Sequence, residues 1–273
     1  MLLQNPALVA RYNDQRIAGI TYSYTYNEQV FPEQKNQFYF NGNIDIAGNA
    51  LAIAGAALGS KDKPDGTKTI AGVAYAQYAR LDVDLRDYFN LDKKNKLVAR
   101  MIVGIGLPYG NSLALPYIKG FFSGGASSLR AFPVNSVGPG NYRIADSLQG
   151  AYFLQPGGDL KLEWNFEYRF PIISVLKGAL FADAGNTWLA RTSYDNGVGR
   201  FNKNTYLREI AMGAGFGLRA DLNFFVIRLD IATPLRKPWR AAGDRWVLGE
   251  LNLKDKSWRG ENLILNIAIG YPF

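Results

Sequence analysis

The sequence predicts an all-β fold, an antiparallel transmembrane β-barrel, on three observations. Apolar and polar residues alternate with period two over long stretches. Those stretches run to about 10–13 residues, beyond the ~5–6 of soluble strands and close to the ~9–11 that cross a bilayer at a tilt. The connections between them are long and short by turns. Membrane barrels show this pattern, with tight turns on one side and long loops on the other.

Nine segments carry the alternation, taken here in chain order. In 16–26, Ile20, Tyr22, Tyr24 and Tyr26 share one face, and Thr21, Ser23 and Thr25 the other. In 37–48, Phe38, Phe40, Ile44 and Ile46 oppose Tyr39, Asn41, Asn43 and Asp45. In 73–86, Ala79, Leu81, Val83 and Leu85 oppose Arg80, Asp82, Asp84 and Arg86. In 97–106, Leu97, Ala99, Met101, Val103 and Ile105 form the apolar face. The fifth segment is the clearest: Leu160, Leu162, Trp164, Phe166, Tyr168 and Phe170 alternate with Lys161, Glu163, Asn165, Glu167 and Arg169. The sixth, 176–188, is weaker and rich in small residues. In 207–221, Ile210, Met212, Phe216 and Leu218 oppose Glu209, three glycines and Arg219. In 224–233, Phe225, Ile227, Leu229 and Ile231 oppose Arg228 and Asp230. The last, 261–273, sets Leu263, Leu265, Ile267, Ile269, Tyr271 and Phe273 on one face. An apolar face toward lipid and a charged face toward a lumen account for every segment. A soluble antiparallel sandwich also alternates, but it rarely sustains such length.

Composition narrows the function. The chain has no His and no Cys, which removes His- or Cys-ligated zinc, a Ser-His-Asp triad and a thiol nucleophile. An outer-membrane phospholipase is disfavoured on the same ground, and the chain reads as a non-enzyme with no cofactor and no metal. The net charge of +8 is no nucleic-acid signal, because the basic residues alternate with acidic ones instead of clustering. The longest apolar run is 50–58, far short of the ~18 residues of a spanning helix. The N-terminus lacks a basic region followed by an apolar core, so it does not read as a secretory signal.

The connection 107–157 is too long to be idle in a compact domain. It carries Gly124-Gly125, Ser127-Ser128, then Leu129-Arg130-Ala131-Phe132 and Gly138-Pro139-Gly140. On residues alone it could be a flexible surface loop with a solvated arginine, or an ordered, tightly folded one.

The stretch from Gly124 to Phe132, followed by Gly138-Pro139, resembles the conserved loop of the BamA/TamA family of outer-membrane assembly proteins. That motif runs Gly-Gly, then Val or Leu, Arg, Gly, Phe; Ala131 stands here in place of the last Gly. Asn165–Pro171, Leu180–Trp188, Gly213–Arg219 and Val226–Asp230 resemble the family's following strands, and the likeness covers about 113–273 strongly. The resemblance implies a loop folded back into the lumen, with Arg130 paired to Glu167 and Asp183. Alternation independently puts Glu167 on the lumen face; Asp183 is left open, since both faces of its strand are small or apolar. Such a cluster either locks the barrel together or takes part in an insertion cycle.

The ending, with Asn266, Tyr271 and a terminal Phe273, resembles the sorting signal of outer-membrane strands, read by strand addition to a free edge. Single-chain bacterial barrels use even strand numbers. The family's barrel has sixteen strands preceded by periplasmic POTRA domains, so residues 1–273 read as its nine C-terminal strands, with POTRA domains and first strands absent. The expected role is insertion, assembly or translocation of proteins at the bacterial outer membrane through a lateral seam. The implied partners are the lipid bilayer, client outer-membrane or secreted proteins, and accessory assembly proteins. The alternative is a passive or partner-specific secretion pore.

Overall fold

The structure, a computed structural model, describes residues 11–273 apart from 12, 32, 60, 65, 144–156, 174, 192–196 and 223. Nine strands form one sheet: β1 (Gly19–Asn27), β2 (Asn36–Ala47), β3 (Tyr78–Asn90), β4 (Lys96–Pro108), β5 (Leu160–Ile173), β6 (Leu176–Trp188), β7 (Ala211–Asp221), β8 (Val226–Arg236) and β9 (Ile264–Ile269). Each pairs antiparallel with its neighbours in sequence, so the sheet is an uninterrupted meander with β1 and β9 at its edges. All nine alternating segments contain strands, although the ends of four differ from expectation.

The two faces separate by chemistry. Ile20, Phe166, Leu180, Ile267 and Ile269 are exposed on the outer face. Glu163, Asn165, Glu167, Asp183, Arg219, Arg228 and Asp230 are buried on the inner face. Burying charges while exposing isoleucines inverts the soluble pattern and fits a sheet whose outside meets lipid. The sheet curls around its polar face: Phe273, beyond β9, packs with Tyr88 of β3 and Val98 of β4. No helix among the described residues is long and apolar enough to cross a membrane, which says nothing against strands.

Short connections (28–35, 91–95, 174–175 and 222–225) lie at one rim and long ones (48–77, 109–159, 189–210 and 237–263) at the other. Parts of 109–159 and 189–210 lie outside the described residues, as do one residue of each of the tight turns around 174 and 223. The connection 48–77 holds helix α1 (Asn49–Leu58), flanked by left-handed Gly48 and Gly59.

Four segments differ from the alternation pattern. The first strand starts at Gly19, not Arg16, which pairs with Tyr75 instead. The third strand starts at Tyr78, not Val73, because Val73–Tyr75 joins a separate four-stranded sheet. There it runs parallel to Gln15–Arg16 and antiparallel to Lys68–Ile70. The seventh strand starts at Ala211, since 206–209 form a 3-10 turn. The ninth is cut at both ends. Helix α2 (Lys256–Asn262), capped by Asp255, takes its start. Gly270, at φ +88°, turns the chain off the ladder at its end. Period-two alternation therefore misplaced Tyr271 and Phe273: they do not continue the lipid face. Phe273 is 7% exposed, on the inner side.

Candidate functional site

The loop between β4 and β5 lies against the inner face, and its arginine is the most thoroughly engaged residue there. Arg130 is fully buried. Its backbone N–H and Nε both donate to Asp183 Oδ2, at 3.0 and 2.9 Å. Nη2 donates to Asp183 Oδ1 at 2.8 Å, and Nη1 pairs with Glu167 Oε2. The guanidinium lies 3.6 Å from the centre of the Phe181 ring. Burial opposes its charge, yet Asp183 and Glu167 hold it above the usual arginine value. Fork geometry and an aromatic face are what guanidinium satisfies and ammonium does not.

Asp183 is the partner that alternation could not place. Opposite β7, Asp183 faces Gly213, and opposite β5 it faces Asn165. Asn165 Nδ2 donates to Asp183 Oδ1 at 3.0 Å and also to Ser128 O. One asparagine thus ties strand and loop together.

The rest of the loop motif supports that arginine. Gly124 and Gly125 both take positive φ, and the Gly125 N–H donates to Phe132 O, closing the loop on itself. The Gly124 N–H donates to Ser128 Oγ, which in turn donates to Glu163. Leu129, Ala131 and Phe132 pack with Phe181 of β6, Ala211 of β7 and Ala232 of β8. The methyl of Ala131, where related loops carry glycine, is accommodated because it faces Gly213: a Cβ there would collide with it. The glycine is needed on the strand instead of in the loop.

Sequence reasoning missed the breadth of the network. Arg219 Nη1 donates to Asp230 Oδ1 at 2.6 Å, and its Nη2 donates to Glu167 Oε2 at 3.2 Å. Arg169 Nε donates to Glu167 Oε1 at 2.7 Å. Arg228 lies 3.3 Å from Asp230 and donates from Nη2 to Ala126 O in the loop. Four arginines (130, 169, 219 and 228) therefore share three carboxylates (Glu167, Asp183 and Asp230). Their common origin shows only in the paired strands: Arg219 sits directly opposite Arg228, and Asp230 relieves that repulsion.

The three residues of the C-terminal signature divide. Asn266 is on β9, and its Nδ2 donates to Arg130 O at 2.9 Å. Tyr271 lies under the Arg169 guanidinium, 4.4 Å from the ring centre. Phe273 lies 5.6 Å from Arg130 and 5.8 Å from Arg169, and its carbonyl accepts from Arg169. Loop and final strand thus meet at Arg130. No cluster of three or more His, Cys, Asp or Glu that could hold a metal occurs among the described residues.

Residues 67–249 match the family model described as the Omp85 superfamily domain. Over 168 residues the chain is 27% identical to the outer membrane protein assembly factor BamA of Neisseria meningitidis serogroup B (strain ATCC BAA-335 / MC58). That alignment takes in 55% of this chain and 20% of the relative, so the match spans about a fifth of the relative's length. The solved structure of BamA from Haemophilus ducreyi lacking POTRA domains 1–3 superposes with a TM-score of 0.48 at 16% identity, over 93% of this chain and 54% of that one. CdiB from Acinetobacter baumannii superposes with a TM-score of 0.38 at 10% identity, over 93% and 41%.

Proposed function

The chain belongs to the Omp85 superfamily, and from that premise we propose that it serves the insertion, assembly or translocation of proteins at the bacterial outer membrane. The nine-stranded sheet with its apolar outer face is an outer-membrane element. Its partners are the bilayer and client outer-membrane or secreted polypeptides.

The observation that carries the mechanism is the bond from Asn266 to the Arg130 carbonyl. Arg130 is anchored to β5 and β6 through Glu167 and Asp183; Asn266 belongs to the edge strand. β9 is the weakest member of the sheet, paired to β8 over six positions from Ile227↔Ile269 to Ala232↔Ile264, whereas β6 pairs β7 over ten. An edge strand is a template for another chain. In this reading β9 is one side of a lateral seam where client strands add. The loop senses or restrains β9 through Asn266, and the Arg130 network is the rigid anchor for that restraint. No covalent bond is made or broken; the work is the exchange of hydrogen bonds between strands.

The test is Arg130→Ala in the full-length protein, read as the level of client barrels in the outer membrane together with the protein's own heat-modifiable mobility. Client levels should fall. Unchanged client levels would sink the proposal. Loss of one secreted partner with client barrels intact would point to a dedicated secretion pore.

A further inference from the structure

Like charges face one another across three strand pairs of the inner face: Arg219 opposite Arg228, Arg86 opposite Arg100, and Lys96 opposite Arg169. Directly opposed like charges destabilise a sheet. The first two oppositions are relieved from within. Asp230 lies between Arg219 and Arg228, and Asp84 binds both Arg86 and Arg100. The third is not. Arg169 has Glu167, but Lys96 has no carboxylate within ion-pair distance among the described residues, and its ammonium rests 5.7 Å from the Tyr88 ring centre.

Lys96 and Arg169 border a cavity of about 890 Å³ at the short-turn rim of the lumen. Lys35, Arg86, Lys93, Lys94 and Lys177 line it too, against two lining carboxylates, Glu33 and Asp92. Arg86 is paired with Asp84 and Lys177 with Asp221, which leaves Lys35, Lys93, Lys94 and Lys96 for a ligand. Asp92 is already committed, accepting from the Lys94 and Asn95 backbone N–H groups and from the Asn95 side chain. Tyr88, Tyr271 and Phe273 supply aromatic wall.

We infer that this mouth binds an acidic, extended segment of polypeptide, whose carboxylates supply the counter-charge that the fold leaves out at Lys96. The layout selects that class. The cations run from Lys35, just before β2, to Lys177 on β6. Four strand spacings of ~4.8 Å make this a path of roughly 19 Å, about six residues of extended chain at ~3.3 Å each. A single phosphate would want its donors gathered round one point, with backbone N–H groups in a nest. Here they are strung along an arc with rings between them, which suits alternating acidic and apolar side chains. Tyr88, Lys96 and Arg169, which line the site, belong to the inner face of the sheet. The inference does not depend on the role of the Arg130 loop.

The test uses the full-length protein in detergent micelles and a fluorescein-labelled hexaglutamate peptide, followed by anisotropy in 50 mM salt. Wild type should bind and lose the peptide in 500 mM salt, as a screened charge interaction does. Lys96→Glu should weaken binding by about tenfold or more and should not lower the unfolding temperature, since it turns a repulsive cross-strand pair into an attractive one. Lys256→Glu, on the long-loop side, should bind like wild type. The peptide should raise the unfolding temperature of wild type and leave that of Lys96→Glu unmoved. Equal binding by wild type and Lys96→Glu, or no binding by wild type in 50 mM salt, would overturn the inference. So would displacement by pyrophosphate at lower concentration than by unlabelled hexaglutamate, which would make the site one for phosphates.

Discussion

Replacing Asp183 by Asn is the sharpest probe of the lumen network. The change is nearly isosteric, but it removes the charge that receives three hydrogen bonds from Arg130 and one from Asn165. Arg130 stays fully buried, so its charge cannot be returned to water without pulling the loop off the inner face. Breaking a buried pair by removing one partner costs ~3–5 kcal/mol, because the other charge is left uncompensated. Glu167 still faces Arg130, which argues for the lower end. Yet Glu167 already serves Arg169 and Arg219, so it cannot absorb the whole deficit. Without Asp183, four arginines share two carboxylates. We expect a loss of about 3 kcal/mol, or roughly 150-fold in the folding constant. The assay is denaturant unfolding of the full-length protein in detergent, followed by heat-modifiable mobility. The double variant Arg130→Met with Asp183→Leu removes both charges and should cost less than Asp183→Asn alone. A single-variant loss under about 1 kcal/mol, or a double variant worse than the single, would refute the buried-pair account.

Other outcomes follow from particular contacts. Gly213→Ala should destabilise by about 1–3 kcal/mol through collision with the Ala131 methyl, and Ala131→Gly in the same protein should restore most of it, measured by the same unfolding assay. Asn266→Ala deletes the bond from β9 to the Arg130 carbonyl and should cost about 1–2 kcal/mol, with faster amide exchange in β9 than in β7; exchange unchanged in β9 would remove the proposed coupling. In the loop after β8, burial, with Arg240 and Arg143 adding to it, holds the Lys237 ammonium below the usual lysine value. The unfolded chain therefore binds more protons between the folded value and 10.5, and stability rises with pH across that window. Limited proteolysis of 237–263 should accordingly slow as pH climbs toward 10.5, and Lys237→Met should abolish that dependence.

The strands were legible because alternation is a local property of the chain. Glu163, Asn165 and Glu167 had to share a face, and their burial follows once that face is the inner one. The loop motif was legible through resemblance, not through physics: nothing in Leu129-Arg130-Ala131-Phe132 says which carboxylates it meets. Asp183 was not legible from alternation, because Ala182, Ala184 and Gly185 beside it leave both faces of β6 without a polar or apolar bias. Arg219, Arg228 and Asp230 were visible as polar-face residues, but their partnership with Glu167 and with the Ala126 carbonyl was not. Those contacts join residues 52 and 102 positions apart.

The last strand marks the boundary most clearly. By itself the sequence determined that a strand lies within 261–273 with Leu265, Ile267 and Ile269 toward lipid, because a two-residue period fixes which side chains share a face. It could not determine that the same alternation stops counting at Gly270. Tyr271 and Phe273 keep the period, but a left-handed glycine ends the ladder and carries them inside, where Arg169 and Arg130 offer guanidinium faces. That choice belongs to the tertiary structure: a cation ring around the lumen exists only after β5 and the β4–β5 loop have come together. Which face a residue takes is settled within a few residues of chain; what it meets there is settled by how the sheet curls and where a fifty-residue loop comes to rest.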